Sequence, residues 1–116
     1  MCYKALARYS QKAVTQFCLL SPEERVKDAC FKAGAGKLGQ YDRCSFEVQG
    51  FGQFRACAGA TPFIGEIGEN TIVGEARVEM VCEKKYLKDT ILAMKQAHPY
   101  EEPAYDVFKM EMAQDV

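Results

Sequence analysis

The sequence has few of the features that mark several large classes of protein. Its 116 residues carry 15 Lys and Arg against 16 Asp and Glu, so the basic excess of a general nucleic-acid binder is absent. The longest strongly apolar run covers residues 17–20, which is too short to span a bilayer. The first dozen residues also lack the continuous apolar stretch of a secretory signal. We therefore expect a cytoplasmic protein that binds neither nucleic acid nor membrane.

Metal-binding and redox motifs are scarce as well. No two of the six Cys are closer than twelve positions, which excludes the C-x-x-C spacing of zinc and redox sites. Without a secretory signal, we interpret them as reduced thiols. The chain contains a single His. The sequence therefore predicts no cofactor, and a divalent metal is the one candidate that stays open.

The chain length suits one compact domain with an ordinary core. We assign residues 1–12 to an N-terminal extension, 13–112 to the domain and 113–116 to a tail. Hydrophobic periodicity then predicts a strand at 14–20, a helix at 21–33 and a strand at 41–49, which returns as a short hairpin at 53–55. After a loop at 58–70 it predicts a strand at 71–82, a helix at 85–97 and a last strand at 104–112. This β-α-β-β-α-β order predicts a ferredoxin-like α+β fold, with two helices on one face of an antiparallel sheet.

The alternation of apolar residues predicts which face of each strand is buried. Cys44, Phe46 and Val48 share one side of a half-buried strand, and Phe108, Met110 and Met112 share one side of the last strand. The face away from the helices is then expected to mix charge with apolar side chains, namely Tyr41, Val81, Tyr105 and Val107. Such a face often meets another subunit.

The densest polar segment is His98-Pro99-Tyr100-Glu101-Glu102-Pro103. Its two prolines restrict the backbone, so the polar groups are presented with little conformational freedom. One interpretation is functional: His98 serves as a metal ligand or base, assisted by Glu101 or Glu102. The other is structural: the segment is a rigid helix-to-strand connector in which His98 forms local hydrogen bonds and the carboxylates are solvated.

Two further loops contain candidate functional residues. The glycines at 34–39 follow a helix and Lys37 precedes Leu38, so this segment predicts a helix end and turn rather than a phosphate-binding loop. Just after it, Tyr41 and Asp42 are candidates for binding or for packing. The loop at 59–66 carries Phe63 and Ile64 between turn formers, which indicates an oligomer contact or a fold-back onto the domain.

These motifs, taken together, resemble one family. They comprise G-A-G at 34–36, G-Q-Y-D-R-C at 39–44, G-Q-F-R at 52–55, P-F-I-G at 62–65, Glu75 with V-E at 78–79, and H-P-Y-E-E-P-A-Y-D at 98–106. In order and spacing they resemble the PII-like or CutA-like domain inserted in longer bacterial members of the Nif-three-like family. The string at 98–106 is the most specific. One departure is Gln40, where the family usually has Asn.

The resemblance implies a ferredoxin-like fold of the kind found in trimeric PII and CutA proteins, and hence a homo-oligomer, with a trimer favoured. It also implies that the dinuclear metal site of the longer members belongs to their flanking domains. We therefore predict a non-catalytic oligomeric module that regulates through a small ligand or metal ion. A structural or protein-interaction module is the alternative, and a metal-dependent hydrolase ranks last.

The predicted site residues fall into three groups. The ligand-binding candidates are His98, Tyr100, Glu101, Glu102, Tyr41 and Asp42. The metal-ligand candidates are His98 and Glu101. The oligomer-contact candidates are Phe63 and Ile64.

Overall fold

The computed structural model describes residues 14–21 and 24–110, and it confirms the βαββαβ order. The elements are β1 (Val14–Ser21), α1 (Glu24–Ala33), β2 (Phe46–Arg55), β3 (Asn70–Glu83), α2 (Lys84–Ala97) and β4 (Tyr105–Met110). The predicted extension and tail, and Pro22 at the predicted start of the first helix, lie outside the described residues. Among the described residues, neither helix has the length and apolarity needed to cross a membrane.

The four strands form one antiparallel sheet in the order β2-β3-β1-β4. The strand β1 ends at Ser21, which pairs with Ala76 of β3. Residues 70–75 of β3 therefore continue beyond β1 and, within the described residues, pair only with residues 50–55 of β2. We call this two-stranded extension of the sheet the ribbon.

The hydrophobic core lies between the helices and one face of the sheet. Alternate residues of β3 point inward, and Ala76, Val78, Met80 and Cys82 are each no more than 8% exposed. They pack with Val26 and Cys30 of α1 and with Met94 of α2. Residues that recur with the helical period thus meet residues that recur with the strand period, which fixes the helices on this face.

A glycine ends the first helix, as the sequence predicts. Gly34 adopts a φ of +119°, which side chains rarely tolerate. A Cβ atom at this position would also lie 2.7 Å from Cγ of Tyr86, at the start of α2. Gly34 therefore both ends α1 and allows the chain to pass close to α2.

The prediction for β2 was wrong in two respects. It is one continuous strand that runs through Gly50 and Gly52, where the sequence suggested a break and a hairpin. Phe46 and Val48 pair with Glu79 and Arg77, on the face away from the helices, and are 44% and 50% exposed. Pairing with β3 over the whole length of β2 explains both differences. It continues the strand through the glycines, and it determines the face on which each side chain lies.

The prediction for β4 was inverted for the same reason. Tyr105 packs against the core, whereas Phe108 is 48% exposed on the other face. Each face of this short strand carries two apolar or aromatic residues and one charged residue, so alternation alone does not identify the buried one. We call the surface away from the helices the open face; its apolar members are Phe46, Val48, Val81 and Phe108.

The buried thiol of Cys30 predicts a pH-dependent contribution to stability. Burial, with a smaller effect of Cys82, raises the pKa of this thiol from 9.0 to about 12. The unfolded chain ionises the thiol near pH 9 while the folded chain keeps it protonated. This contribution to stability is therefore complete below pH 9 and is lost as the pH rises toward 12.

We expect the stability difference between wild type and Cys30→Ala to shrink by about 1.4 kcal/mol between pH 7 and pH 10. The measurement is the free energy of unfolding in urea, with a reducing agent present. Cys57→Ala is the matched control, because Cys57 is exposed and its contribution should stay constant. A difference for Cys30→Ala that is equal at both pH values would contradict the prediction.

Candidate functional site

A groove of about 640 Å³ lies beside the ribbon. One side is the ribbon itself, and the others are the loop that joins β2 to β3 and the segment that joins α2 to β4. The residues that line it are 52–57, Ala60, Pro62, Phe63, Ile64, Glu75, Tyr100, Glu101, Glu102 and Ala104. Three of the predicted ligand-binding residues, Tyr100, Glu101 and Glu102, are thus brought together in one wall.

The structure places His98 beneath this wall and not among the lining residues. Its backbone N–H donates to the Met94 carbonyl at 2.9 Å, which closes the last turn of α2 before Pro99. Its ring is buried, and Nδ1 accepts a hydrogen bond from the Tyr100 N–H at 3.1 Å. The ring centroids of His98 and Tyr100 are 4.8 Å apart. His98 therefore orients Tyr100 toward the groove.

The phenol of Tyr100 is the most unusual polar group in the groove. Its hydroxyl oxygen is buried, and no group of the described residues lies within hydrogen-bonding distance of it. Burial raises the pKa of this phenol above its usual 10.0, and the negative charge of Glu75 raises it further. Near neutral pH the hydroxyl is therefore protonated, so it both donates and accepts hydrogen bonds.

Glu101 joins the two loops that flank the groove. Its Oε2 accepts the Thr61 backbone N–H at 3.1 Å, and its Oε1 accepts the Thr61 hydroxyl at 3.2 Å. The carboxylate thus fastens the β2–β3 loop to the segment before β4. We call this pair of hydrogen bonds the latch.

Sequence reasoning missed the part of the groove formed by Glu75 and Gly52. A Cβ atom on Gly52 would lie 1.7 Å from Oε1 of Glu75, so the carboxylate occupies the space that a side chain at 52 would take. The signal in the sequence was the pair Gly50 and Gly52 inside a strand, because interior strand glycines often mark a close approach. Glycines also interrupt strands, and the prediction of a hairpin rests on that interpretation of the pair.

Of the remaining predicted residues, two lie in the groove and two lie outside it. Phe63 and Ile64 lie in the groove wall, with the Phe63 ring 6.4 Å from that of Tyr100. Tyr41 and Asp42 lie before β2, where Leu38 and Tyr41 exchange backbone hydrogen bonds in a tight turn. In β2 the lining of the groove begins only at Gly52, about 20 Å along the strand from Phe46, and neither Tyr41 nor Asp42 is among the lining residues. Within one chain, Tyr41 and Asp42 are therefore remote from the groove.

The two metal-ligand candidates already form hydrogen bonds. Nδ1 of His98 accepts the Tyr100 amide, and both oxygens of Glu101 accept hydrogen bonds from Thr61. In the part of the chain that the structure describes, no three His, Cys, Asp or Glu residues come together in a metal-binding arrangement. These residues therefore do not fit the dinuclear metal that the resemblance assigns to the longer family members.

Comparisons with known proteins agree with this fold. No family model matches the sequence. The periplasmic divalent cation tolerance protein CutA of Archaeoglobus fulgidus superposes with a TM-score of 0.61 over 86% of each chain, at 12% identity. At that identity the likeness shows the fold alone, and the chain has a CutA-like, ferredoxin-like fold.

Two further matches show the relationship. A GTP cyclohydrolase 1 type 2 homolog of Bacillus subtilis is 48% identical over 89 residues, which are 77% of this chain and 24% of the relative. The structure of a Bacillus cereus protein related to NIF3 matches with a TM-score of 0.74 and 33% identity, over 92% of this chain and 28% of that one. The chain is thus homologous to one segment of the Nif-three-like proteins, as its motifs predict, and spans about a quarter of their length.

The latch predicts a local effect of Glu101 on the loop. In Glu101→Ala, we expect the Thr61 amide to exchange its hydrogen about tenfold faster, because a charge-assisted hydrogen bond is lost. Global stability should change by less than about 1 kcal/mol, since both partners are exposed. The measurement is amide hydrogen exchange resolved by residue.

Glu102→Ala is the matched control for the latch, because Glu102 is the adjacent, exposed carboxylate in the same wall. It should leave exchange at Thr61 unchanged. Equal protection of Thr61 in wild type and Glu101→Ala would contradict the assignment of the latch.

Proposed function

We propose that the chain is a non-catalytic, homo-oligomeric module of the PII-like type, which binds a small ligand in the groove and acts in regulation. The observation that carries this proposal is the buried hydroxyl of Tyr100, which lacks a partner among the described residues and belongs to a residue that lines a groove of about 640 Å³. Buried hydroxyls in folded proteins are normally hydrogen-bonded. A ligand in the groove supplies the partner.

The open face supports self-association. Phe46, Val48 and Phe108 are each 44–50% exposed there, on strands β2 and β4 at the two edges of the sheet. Exposed apolar residues grouped on one surface mark protein contacts. We assign the open face to contact between copies of this chain, with a trimer as the favoured assembly. Phe63 and Ile64 remain candidates for an additional contact.

An assembly also gives Tyr41 and Asp42 a route to the ligand. They do not line the groove of their own chain, whose β2 lining begins about 20 Å from Phe46, so they would contribute to a groove that belongs to another protomer. The relatives are named for GTP cyclohydrolase, and we do not extend that activity to this chain, which spans about a quarter of them. We place the protein in the cytoplasm, on its reduced-thiol composition.

The alternative is a structural or interaction module, and one observation favours it. His98 and Glu101 both hold loops in place through hydrogen bonds to Tyr100 and Thr61. If that is their entire role, the motif at 98–106 maintains the shape of a contact surface and the groove binds nothing. A metal-dependent hydrolase ranks below both, because the two candidate ligands are engaged in these bonds.

A screen on the intact assembly tests ligand binding. We expect calorimetry with nucleotides, divalent cations and small organic ions to find at least one binder, and amide shifts to map it to residues 52–57 and 100–104. Ala104→Trp should weaken binding at least about tenfold, because the indole fills the groove that Ala104 lines. Leu92→Trp, on the exposed side of α2, is the control. Failure of every compound to shift the groove amides would favour the structural alternative.

Replacement of an open-face residue tests assembly. We expect wild type to have a mass that is a multiple of the chain mass, three times in the favoured case, by light scattering during gel filtration. Phe108→Glu should shift it toward the monomer, because a charge is desolvated in an apolar contact. Leu92→Glu, at an equally exposed apolar position on α2, should leave it unchanged. A monomeric wild type, or an unchanged Phe108→Glu, would overturn the assignment of the open face.

A further inference from the structure

The groove has an excess of negative charge. Its lining carries three carboxylates, Glu75, Glu101 and Glu102, against one guanidinium, that of Arg55. Two of these carboxylates differ in the contacts that they form. Glu101 has both oxygens in the latch, whereas Glu75 lies across the ribbon above Gly52. Glu75 is therefore the carboxylate that the floor of the groove offers to a ligand.

The position of Glu75 depends on the lack of a side chain on Gly52. In the register of the ribbon, Glu75 pairs with Gly50, and Gly52 is the next residue of β2 on the same face. A Cβ atom at 52 would fall 1.7 Å from Oε1, so the carboxylate of the half-buried Glu75 rests against the backbone there. Glycine inside a strand weakens it, and a close approach of another group is the usual reason for its presence.

Tyr100 places a second polar group near this carboxylate. Its hydroxyl is buried without a partner among the described residues, and the charge of Glu75 acts on it. A ligand group that lies between the two must donate hydrogen bonds, because a carboxylate only accepts them. An anionic group is disfavoured next to Glu75 by like-charge repulsion.

Apolar and aromatic residues form another part of the groove. Phe63 and Ile64 form the outer wall, and the Phe63 ring lies 6.4 Å from that of Tyr100 at an angle of 45°. Aromatic faces attract organic cations as well as apolar groups. A bare divalent cation would instead require several converging oxygen ligands, and the described residues bring no three acidic, His or Cys side chains together.

We infer that the ligand of this groove is an organic amine: a protonated amino group on a short apolar body. This inference rests on the proposed ligand-binding function and specifies the class of ligand. The ammonium donates to the Glu75 carboxylate and to the Tyr100 hydroxyl oxygen, and the apolar body lies against Phe63 and Ile64. Glu75 and Tyr100 are thus the residues that determine specificity.

The test uses three probes that share a phenethyl body and differ in charge: phenethylamine, 2-phenylethanol and 3-phenylpropionate. They are titrated into the intact assembly, with binding followed by amide shifts at residues 52–55 and 100–104. We expect the amine to bind at least about tenfold more tightly than the alcohol, as a single charge-assisted hydrogen bond requires. The carboxylate should not bind.

Variants then assign the contacts. Glu75→Gln should weaken binding of phenethylamine at least about tenfold, and Tyr100→Phe by a smaller factor. Gly52→Ala should weaken it as well, because the added methyl group displaces the Glu75 carboxylate. Glu79→Gln is the matched control, since Glu79 lies on the same strand and face but pairs with Arg77 outside the groove. It should bind like wild type.

The other outcomes separate this inference from the proposed function. Equal binding of amine and alcohol, or undiminished binding of the amine by Glu75→Gln, overturns the amine assignment. If a nucleotide or Mn²⁺ alone binds in the groove while the amine fails to bind, the amine assignment is also overturned. The ligand-binding function then stands. If no probe or screened compound perturbs the groove, both the inference and the proposed function fail.

Discussion

The groove depends on a mismatch in the lengths of two neighbouring strands. The strand β3 has 14 residues and its partner β1 has eight, so in the part of the chain that the structure describes β3 extends past the end of β1 with only β2 beside it. The face of the ribbon is thereby left without a third strand. The segment from His98 to Ala104 approaches it at this point, because β4 begins only at Tyr105, opposite Leu19 of β1. A longer β1 would occupy the space in which the groove now lies.

The sequence predicts well those parts of the fold in which only one arrangement buries the apolar residues. The inward residues of β3 alternate with charged ones, and the stripe of α1 contains Val26 and Cys30, so the core between them is determined. In β2 and β4, apolar residues occur on the face away from the helices. A pattern that assumes a single buried face then assigns Phe46 and Phe108 to the core. Both errors have one physical cause, which is an open face with its own apolar surface.

The sequence likewise predicts one part of the candidate site and not the other. The motif at 98–106 is continuous in the chain, so its importance is visible in the sequence, and Tyr100, Glu101 and Glu102 do reach the groove. Their partners are distant in the chain: Thr61 for the latch, and Glu75 above Gly52. No local pattern links these positions to residue 100. The separate orientation of His98, which supports Tyr100 from beneath, follows from the helix end at Ala97 and also required the structure.

The groove and the open face are parts of one continuous surface. Val48, Gly50 and Gly52 alternate along a single face of β2, so the open-face residue Val48 and the glycine beneath Glu75 are about 13 Å apart on the same strand. A strand paired along its full length with β3 moves as a unit with it. The two walls of the groove differ in how they are held in place. Prolines and the end of α2 restrict the segment before β4, whereas the exposed latch holds the β2–β3 loop. Under the proposed function, an occupant would contact the latched loop and also β2, the strand that carries the open-face residue Val48.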